Sequence, residues 1–151
     1  MSFKKILVPT DGSEYTKYAV DKAIELAKLS GGKVTALYVI DKSIYANSTM
    51  DTAVTMVNVY DTLEKEGEYA TSYVLTKAKE IGVEAEEKRI EGLPSNVILQ
   101  ETNAGEYDLI VMGSLGRTGI SKLLMGSVAE KIVRNAKCPV MVVKAPPVSK
   151  E

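Results

Sequence analysis

The sequence predicts an α/β protein: a single open parallel sheet with helices on both faces. Three observations carry this. Short apolar runs rich in β-branched residues recur at Ile6–Pro9, Lys33–Ile40, Leu109–Met112 and Pro139–Val143, with an alternating run at Val83–Ile90. Between them lie segments whose apolar residues recur at steps of three and four. Glycines at 31–32, 82 and 105 separate those segments from the next strand. Strands alternating with helices build βαβ units, and right-handed crossovers restrict how such units connect.

Each element has its own justification. Ile6-Leu-Val-Pro9 is a continuous apolar run and reads as a buried strand. Thr10-Asp11-Gly12-Ser13 is a turn, with Ser13 placed to cap a helix over about 14–29. Val20, Ala23, Ile24 and Ala27 share one face of it, and Gly31-Gly32 stops it. Lys33–Ile40 is the second strand, and 41–51 has no clear pattern and reads as a surface loop. A long helix follows, with Tyr60, Leu63, Gly67, Ala70, Val74, Ala78 and Ile81 as its expected core-facing stripe. Val83–Ile90 alternates and is charged on one face, which suits an edge strand. Gly92-Leu-Pro94 opens a short helix with Val97 and Ile98 inward, closing at Ala104-Gly105. Leu109–Met112 is the fourth strand, Ser127 to about Asn135 the last helix, and Pro139–Val143 the last strand. Residues 1–145 read as one domain and 146–151 as a loose tail.

Composition excludes several functions. The chain has 151 residues, 45% hydrophobic and 26% charged, with a net charge of -1. That balance suits a soluble domain with a sizeable core and argues against a duplex nucleic-acid partner. No apolar run approaches the ~20 residues that span a bilayer, so no membrane partner is expected. Met1-Ser-Phe-Lys-Lys-Ile6 runs directly into a strand and leaves no room for a signal peptide. The single cysteine, Cys138, fits a reducing cytoplasm and reads as a packing residue rather than a reactive thiol. There is no histidine, which removes Ser-His-Asp and Cys-His nucleophile systems and histidine general bases.

The chemistry concentrates in the loop after the fourth strand. Met112-Gly113-Ser114-Leu115-Gly116-Arg117 is followed, nine residues beyond Gly116, by Gly126-Ser127-Val128. Glycines just past a buried strand let backbone N–H groups close around a phosphate, and the following helix N-terminus faces the same anion. Ser127 is placed to bond a phosphate oxygen while capping the last helix. Arg117 and Lys122 either offset phosphate charge or are solvated loop cations. The pattern is neither a Walker A loop nor the Gly-x-Gly-x-x-Gly fingerprint. In parallel sheets, ligands bind beyond the carboxyl ends of the strands at a switch point. The loops 9–13 and 113–126 both qualify and flank one crevice if their strands are neighbours. Asp11 is either a turn aspartate bonding its own backbone or a crevice carboxylate that reaches the nucleoside or holds Mg²⁺ or Mn²⁺ with the phosphates. Val39 is either plain core or a strand end whose backbone reads an adenine edge.

Together these residues resemble the universal stress protein family, in its ATP-binding branch. The resemblance covers nearly the whole chain. It is carried by Lys4-Ile-Leu-Val-Pro-Thr-Asp-Gly-Ser13 with Thr10 inside it, Leu37-Tyr-Val-Ile40, Asp108-Leu-Ile-Val-Met-Gly-Ser-Leu-Gly-Arg-Thr-Gly119, Gly126-Ser-Val-Ala-Glu-Lys-Ile-Val133 and Cys138-Pro-Val-Met-Val-Val143. It implies a Rossmann-like, adenine nucleotide alpha hydrolase-like sheet of five strands in the order 3-2-1-4-5. It implies ATP between the first and fourth strands, with Pro9, Asp11 and Val39 around the adenosine. Met112, Gly113, Gly116, Gly126, Ser127 and Val128 would hold ribose and phosphates. It also implies a homodimer through the last strands. The Val140–Val143 edge is either covered by the tail 144–151 or paired antiparallel with its own copy, which would satisfy the open backbone groups.

Three functions compete at this level. The first is a nucleotide-dependent regulatory switch in stress response, read by a protein partner that the sequence does not identify. The second is a slow metal-dependent ATP hydrolase or phosphotransferase. The third is a dimeric interaction module without a ligand.

Overall fold

Ile6, Leu7 and Val8 are all fully buried, as befits a central strand covered on both faces. A computed structural model describes residues 3–45, 53–115 and 125–145. The strands are β1 (Lys5–Pro9), β2 (Lys33–Ile40), β3 (Glu84–Glu91), β4 (Leu109–Gly113) and β5 (Val140–Val143). The helices are α1 (Glu14–Ser30), α2 (Ala53–Glu80), α3 (Pro94–Gly105) and α4 (Ser127–Asn135). All strand pairs are parallel, in the order β3-β2-β1-β4-β5. The order reverses beside β1, so β1 and β4 are neighbours and their exit loops flank one crevice.

Strand alternation divides the core between the two faces. Ile6 and Val8 of β1, Val34 and Ala36 of β2, and Leu109 and Val111 of β4 pack with α1 and with Val74 and Ala78 of α2. Leu7, Leu37, Ile110 and Met112 face the other way, against Val97 and Ile98 of α3 and Ala129 and Ile132 of α4. No helix among the described residues is long and apolar enough to cross a membrane.

Ser13 caps α1 as expected, its side chain accepting from the Thr16 N–H, and Gly31 ends the helix in the left-handed region. The expected loop over 41–51 opens instead with a 3-10 turn at Lys42–Tyr45, and 46–52 lie outside the described residues. Two ends of the α2 stripe depart from expectation. Leu63, Gly67, Ala70, Val74 and Ala78 are buried, but Tyr60 is 36% and Ile81 43% exposed. Ile81 falls in the turn past the helix, and Tyr60 lies under the Lys42 ammonium, 4.8 Å from the ring centre. α3 closes at Gly105 as expected, and Glu106 after it takes the left-handed conformation, at φ 56°. A Cβ on Gly105 would sit 2.4 Å from the Tyr107 ring, so this glycine makes room for an aromatic rather than for a turn.

Candidate nucleotide crevice

β1 and β4 end side by side, and a cavity of about 340 Å³ opens beyond them. Pro9, Thr10 and Asp11 line it from β1, and Val39 lines it from β2. Met112, Gly113 and Ser114 line it from β4, with Gly126, Ser127 and Val128 at the start of α4. These are all the sequence-derived candidates that fall among the described residues. Gly116, Arg117 and Lys122 lie outside them.

The β1 exit loop is held by its own side chains. Asp11 Oδ1 accepts from the Ser13 N–H at 2.9 Å, which is the turn reading of this aspartate. The same oxygen lies 3.1 Å from the Thr16 hydroxyl, and the Thr10 and Thr16 hydroxyls are 3.2 Å apart. Thr10 Oγ1 accepts from the Gly12 N–H at 3.1 Å. Gly12 itself is required twice over, by φ 80° and by the Ala70 Cβ 3.2 Å from where its own Cβ would stand.

At the other wall, the expected roles of the glycines and of Ser127 change in detail. A Cβ on Gly113 would meet the Leu115 carbonyl oxygen at 3.2 Å and that of Tyr15 at 3.5 Å. Its missing side chain therefore first admits the protein's own backbone, not a ligand. The Gly126 N–H donates to the Ser114 carbonyl at 2.7 Å, and the Ser114 N–H donates to the Val143 carbonyl at 3.1 Å. The first closes the loop and the second extends the β4–β5 ladder. Gly126, not Ser127, is the N-cap of α4, and it makes no side-chain cap bond. Ser127 is the first helical residue. The first helical bond runs from the Glu130 N–H to the Gly126 carbonyl at 3.0 Å. The N–H groups of Ser127, Val128 and Ala129 are thus the ones a helix leaves without an internal partner, and all three residues line the crevice.

The opposite end is more apolar. Leu37 and Val39 of β2, Leu63 of α2, and Pro94 and Ile98 of α3 form it, with Tyr38 and Asp41 beside them. Thr10 N–H donates to the Leu37 carbonyl at 2.9 Å, at the end of the β1–β2 ladder. By the period of two, Val39 turns its own N–H and C=O the same way, past the end of β1. Sequence reasoning missed Thr16, Leu63, Pro94, Ile98 and Asp41. Thr16 had a readable signal, lying three residues after the cap Ser13. Asp41 directly follows β2, two residues beyond Val39, and Leu63, Pro94 and Ile98 reach the crevice only through tertiary packing.

No lysine or arginine lines the crevice among the described residues, and no cluster of three or more metal-ligating Cys, Asp or Glu residues occurs among them. Cys138 is half-buried, and burial pushes its thiol pKa up, which fits a packing role.

The universal stress protein family model matches residues 2–144. Universal stress protein MJ0531 of Methanocaldococcus jannaschii is 40% identical over 144 residues, covering 95% of this chain and 84% of that protein. Universal stress protein YxiE of Bacillus subtilis is 32% identical over 148 residues, covering 94% and 99% respectively. Among solved structures, hypothetical protein MJ0577 superposes with a TM-score of 0.84 at 26% identity, covering 97% of this chain and 99% of its own. An Arabidopsis thaliana family protein solved with AMP bound superposes with a TM-score of 0.70 at 24% identity, covering 95% and 92%. Fold, motif order and near full-length similarity agree: the chain belongs to the universal stress protein family.

Proposed function

We propose that the crevice binds ATP, as in the family's ATP-binding branch, and that occupancy is the signal this protein passes on. One observation carries the reading: the β1 exit, the β4 exit and the first turn of α4, whose N–H groups have no partner within the helix, line one cavity. The helix N-terminus suits a phosphate, and the apolar end suits a base. Proteins of this fold have been solved with AMP, with cAMP and with dAMP, at 24%, 22% and 21% identity. That likeness speaks for architecture, so the assignment stands on this chain's own crevice.

In the proposed complex Pro9, Thr10, Asp11 and Val39 surround the adenosine. Met112, Gly113, Ser114, Gly126, Ser127 and Val128 hold ribose and phosphates, with Gly116 and Arg117 contributing from the connecting loop. Mg²⁺ or Mn²⁺ would share Asp11 with phosphate oxygens and water. A hard cation accepts that oxygen-only set, and a single carboxylate suffices when phosphates supply the rest.

The role is regulatory rather than catalytic. With no histidine in the chain and no cation lining the crevice among the described residues, stabilisation of a transferring phosphoryl group would rest on backbone dipoles, one metal and Arg117 or Lys122 of the connecting loop. The working unit is a cytoplasmic homodimer through Val140–Val143, acting in stress response through a protein partner. Residues 1–145 form its one domain and 146–151 a tail. Equilibrium dialysis with ATP and Mg²⁺ tests the reading. Saturable binding of about one ATP per chain supports it, and no binding at millimolar ATP defeats it. Turnover of order 1 s⁻¹ or faster would make the protein an enzyme instead.

A further inference from the structure

Asp41 lines the crevice at its apolar end, directly after β2 and two residues beyond Val39. It is a carboxylate among Leu37, Val39, Leu63, Pro94 and Ile98, far in sequence from the phosphate-facing residues of α4. Its orientation is fixed. Oδ1 accepts from the Ser43 N–H at 2.9 Å and from the Ser43 hydroxyl at 2.5 Å. The neighbouring cation does not neutralise it. Lys42 is drawn to Glu91, with Nζ 3.0 Å from Oε1, and lies over the Tyr60 ring. Among the described residues no donor occupies Oδ2.

A carboxylate at neutral pH is an acceptor only. Placed at the base end of a nucleotide site, it favours a ring edge that presents N–H and disfavours one that presents a carbonyl oxygen. We infer that Asp41 reads the base, taking a hydrogen bond from the 6-amino group of adenine beside the Val39 backbone. The assignment rests on the ATP reading above and adds to it the residue that sets base choice. Val39 offers one N–H and one C=O, a pair that either an amino or an oxo purine can satisfy by shifting. Asp41 adds a second acceptor, and an oxygen at position 6 would face it with repulsion.

ATP and ITP differ along one edge, a 6-amino group and bare N1 against a 6-oxo group and N1–H, and GTP and ITP differ only by the 2-amino group. Calorimetric affinities of the full chain for all three, with Asp41→Asn beside the wild type, form the test. Asn keeps the acceptor that bonds Ser43 and adds a donor. The expected result is a wild-type preference for ATP over ITP of about tenfold or more, the scale of one mismatched buried polar group. Asp41→Asn should reduce it to about threefold or less. An unchanged ATP-to-ITP ratio in Asp41→Asn overturns the inference and leaves the Val39 backbone as the reader. A GTP-over-ITP preference that Asp41→Asn removes assigns the carboxylate to a 2-amino group and overturns it equally. If the wild type binds none of the three, the nucleotide reading itself falls, an outcome separable from the others.

Discussion

The Thr16 hydroxyl lies 3.1 Å from Asp11 Oδ1 and 3.0 Å from the Ser13 carbonyl oxygen, tying the first turn of α1 to the loop that leaves β1. Thr16 is buried, so its removal is not compensated by water. Thr16→Val keeps the shape and deletes the hydroxyl. It should cost about 1–2 kcal/mol of stability, the range for losing a buried hydrogen-bonded group. ATP affinity should fall several-fold, because Asp11 loses the positioning contact from the Thr16 hydroxyl. Urea denaturation and calorimetry measure the two effects, and an unchanged affinity would show that Asp11 is held by its turn alone.

Gly12 joins the same loop to α2. Its φ of 80° penalises any side chain, and a Cβ would press on Ala70 at 3.2 Å. Gly12→Ala should destabilise the protein by about 1–3 kcal/mol. The double variant Gly12→Ala, Ala70→Gly relieves only the steric part. Its stability should exceed the sum of the two single effects by the amount of that contact. Strict additivity in urea denaturation would reduce the cost to backbone strain.

Much of the fold was legible because the signals were local. Ser13, Gly31 and the run Lys33–Ile40 behave as read, and so does the edge position of β3. The misreading at Tyr60 has a tertiary cause, a local signal overruled by a neighbour distant in sequence. Tyr60 fitted the helical period of α2 but stands at 36% exposure beneath Lys42. The candidate site was legible at both exit loops because glycines and aspartates after strands mark that end of a parallel sheet. The base end was not, since Leu63, Pro94 and Ile98 carry no chemical signature and meet only in the folded chain.

Ser127 separates capping from ligand contact. Gly126 caps α4 without a side-chain bond, so Ser127→Ala should leave stability within about 0.5 kcal/mol, as for surface changes away from caps. ATP affinity should drop about three- to tenfold through loss of one hydroxyl to phosphate. A large fall in unfolding midpoint with unchanged ATP affinity would reverse the assignment.

Alkaline pH should weaken the fold through Tyr107. This tyrosine is 6% exposed, and its pKa is raised by burial first, with its hydrogen bond to Glu101 at 3.0 Å adding to the shift. A group whose folded pKa exceeds its unfolded value stabilises below the unfolded value, about 10 for tyrosine, and loses that contribution as pH rises through the folded one. The urea midpoint should therefore fall between about pH 10 and the still higher folded value. Tyr107→Phe should shallow the decline without removing it, because Tyr73 is shifted the same way, again by burial first. An identical pH profile in Tyr107→Phe would exclude Tyr107 as the titrating group.

The β5 edge tests the proposed dimer without touching the crevice. The Ile110 N–H donates to the Pro139 carbonyl and the Ser114 N–H to the Val143 carbonyl. Residues 139, 141 and 143 therefore address β4, and alternation turns the N–H groups of Val140 and Val142 toward the open edge. Proline is tolerated on an edge strand where its missing N–H faces outward. Val142→Pro should keep the β4–β5 ladder and the circular dichroism spectrum while removing a bond across the two-fold axis. Light scattering after size exclusion should give two chains per particle for the wild type and one for Val142→Pro at micromolar concentration. A wild type that runs as a monomer, or a Val142→Pro variant that still pairs, would show that Val140–Val143 is not the joining strand. ATP binding retained by the monomeric variant would further show that each crevice is complete within a single chain.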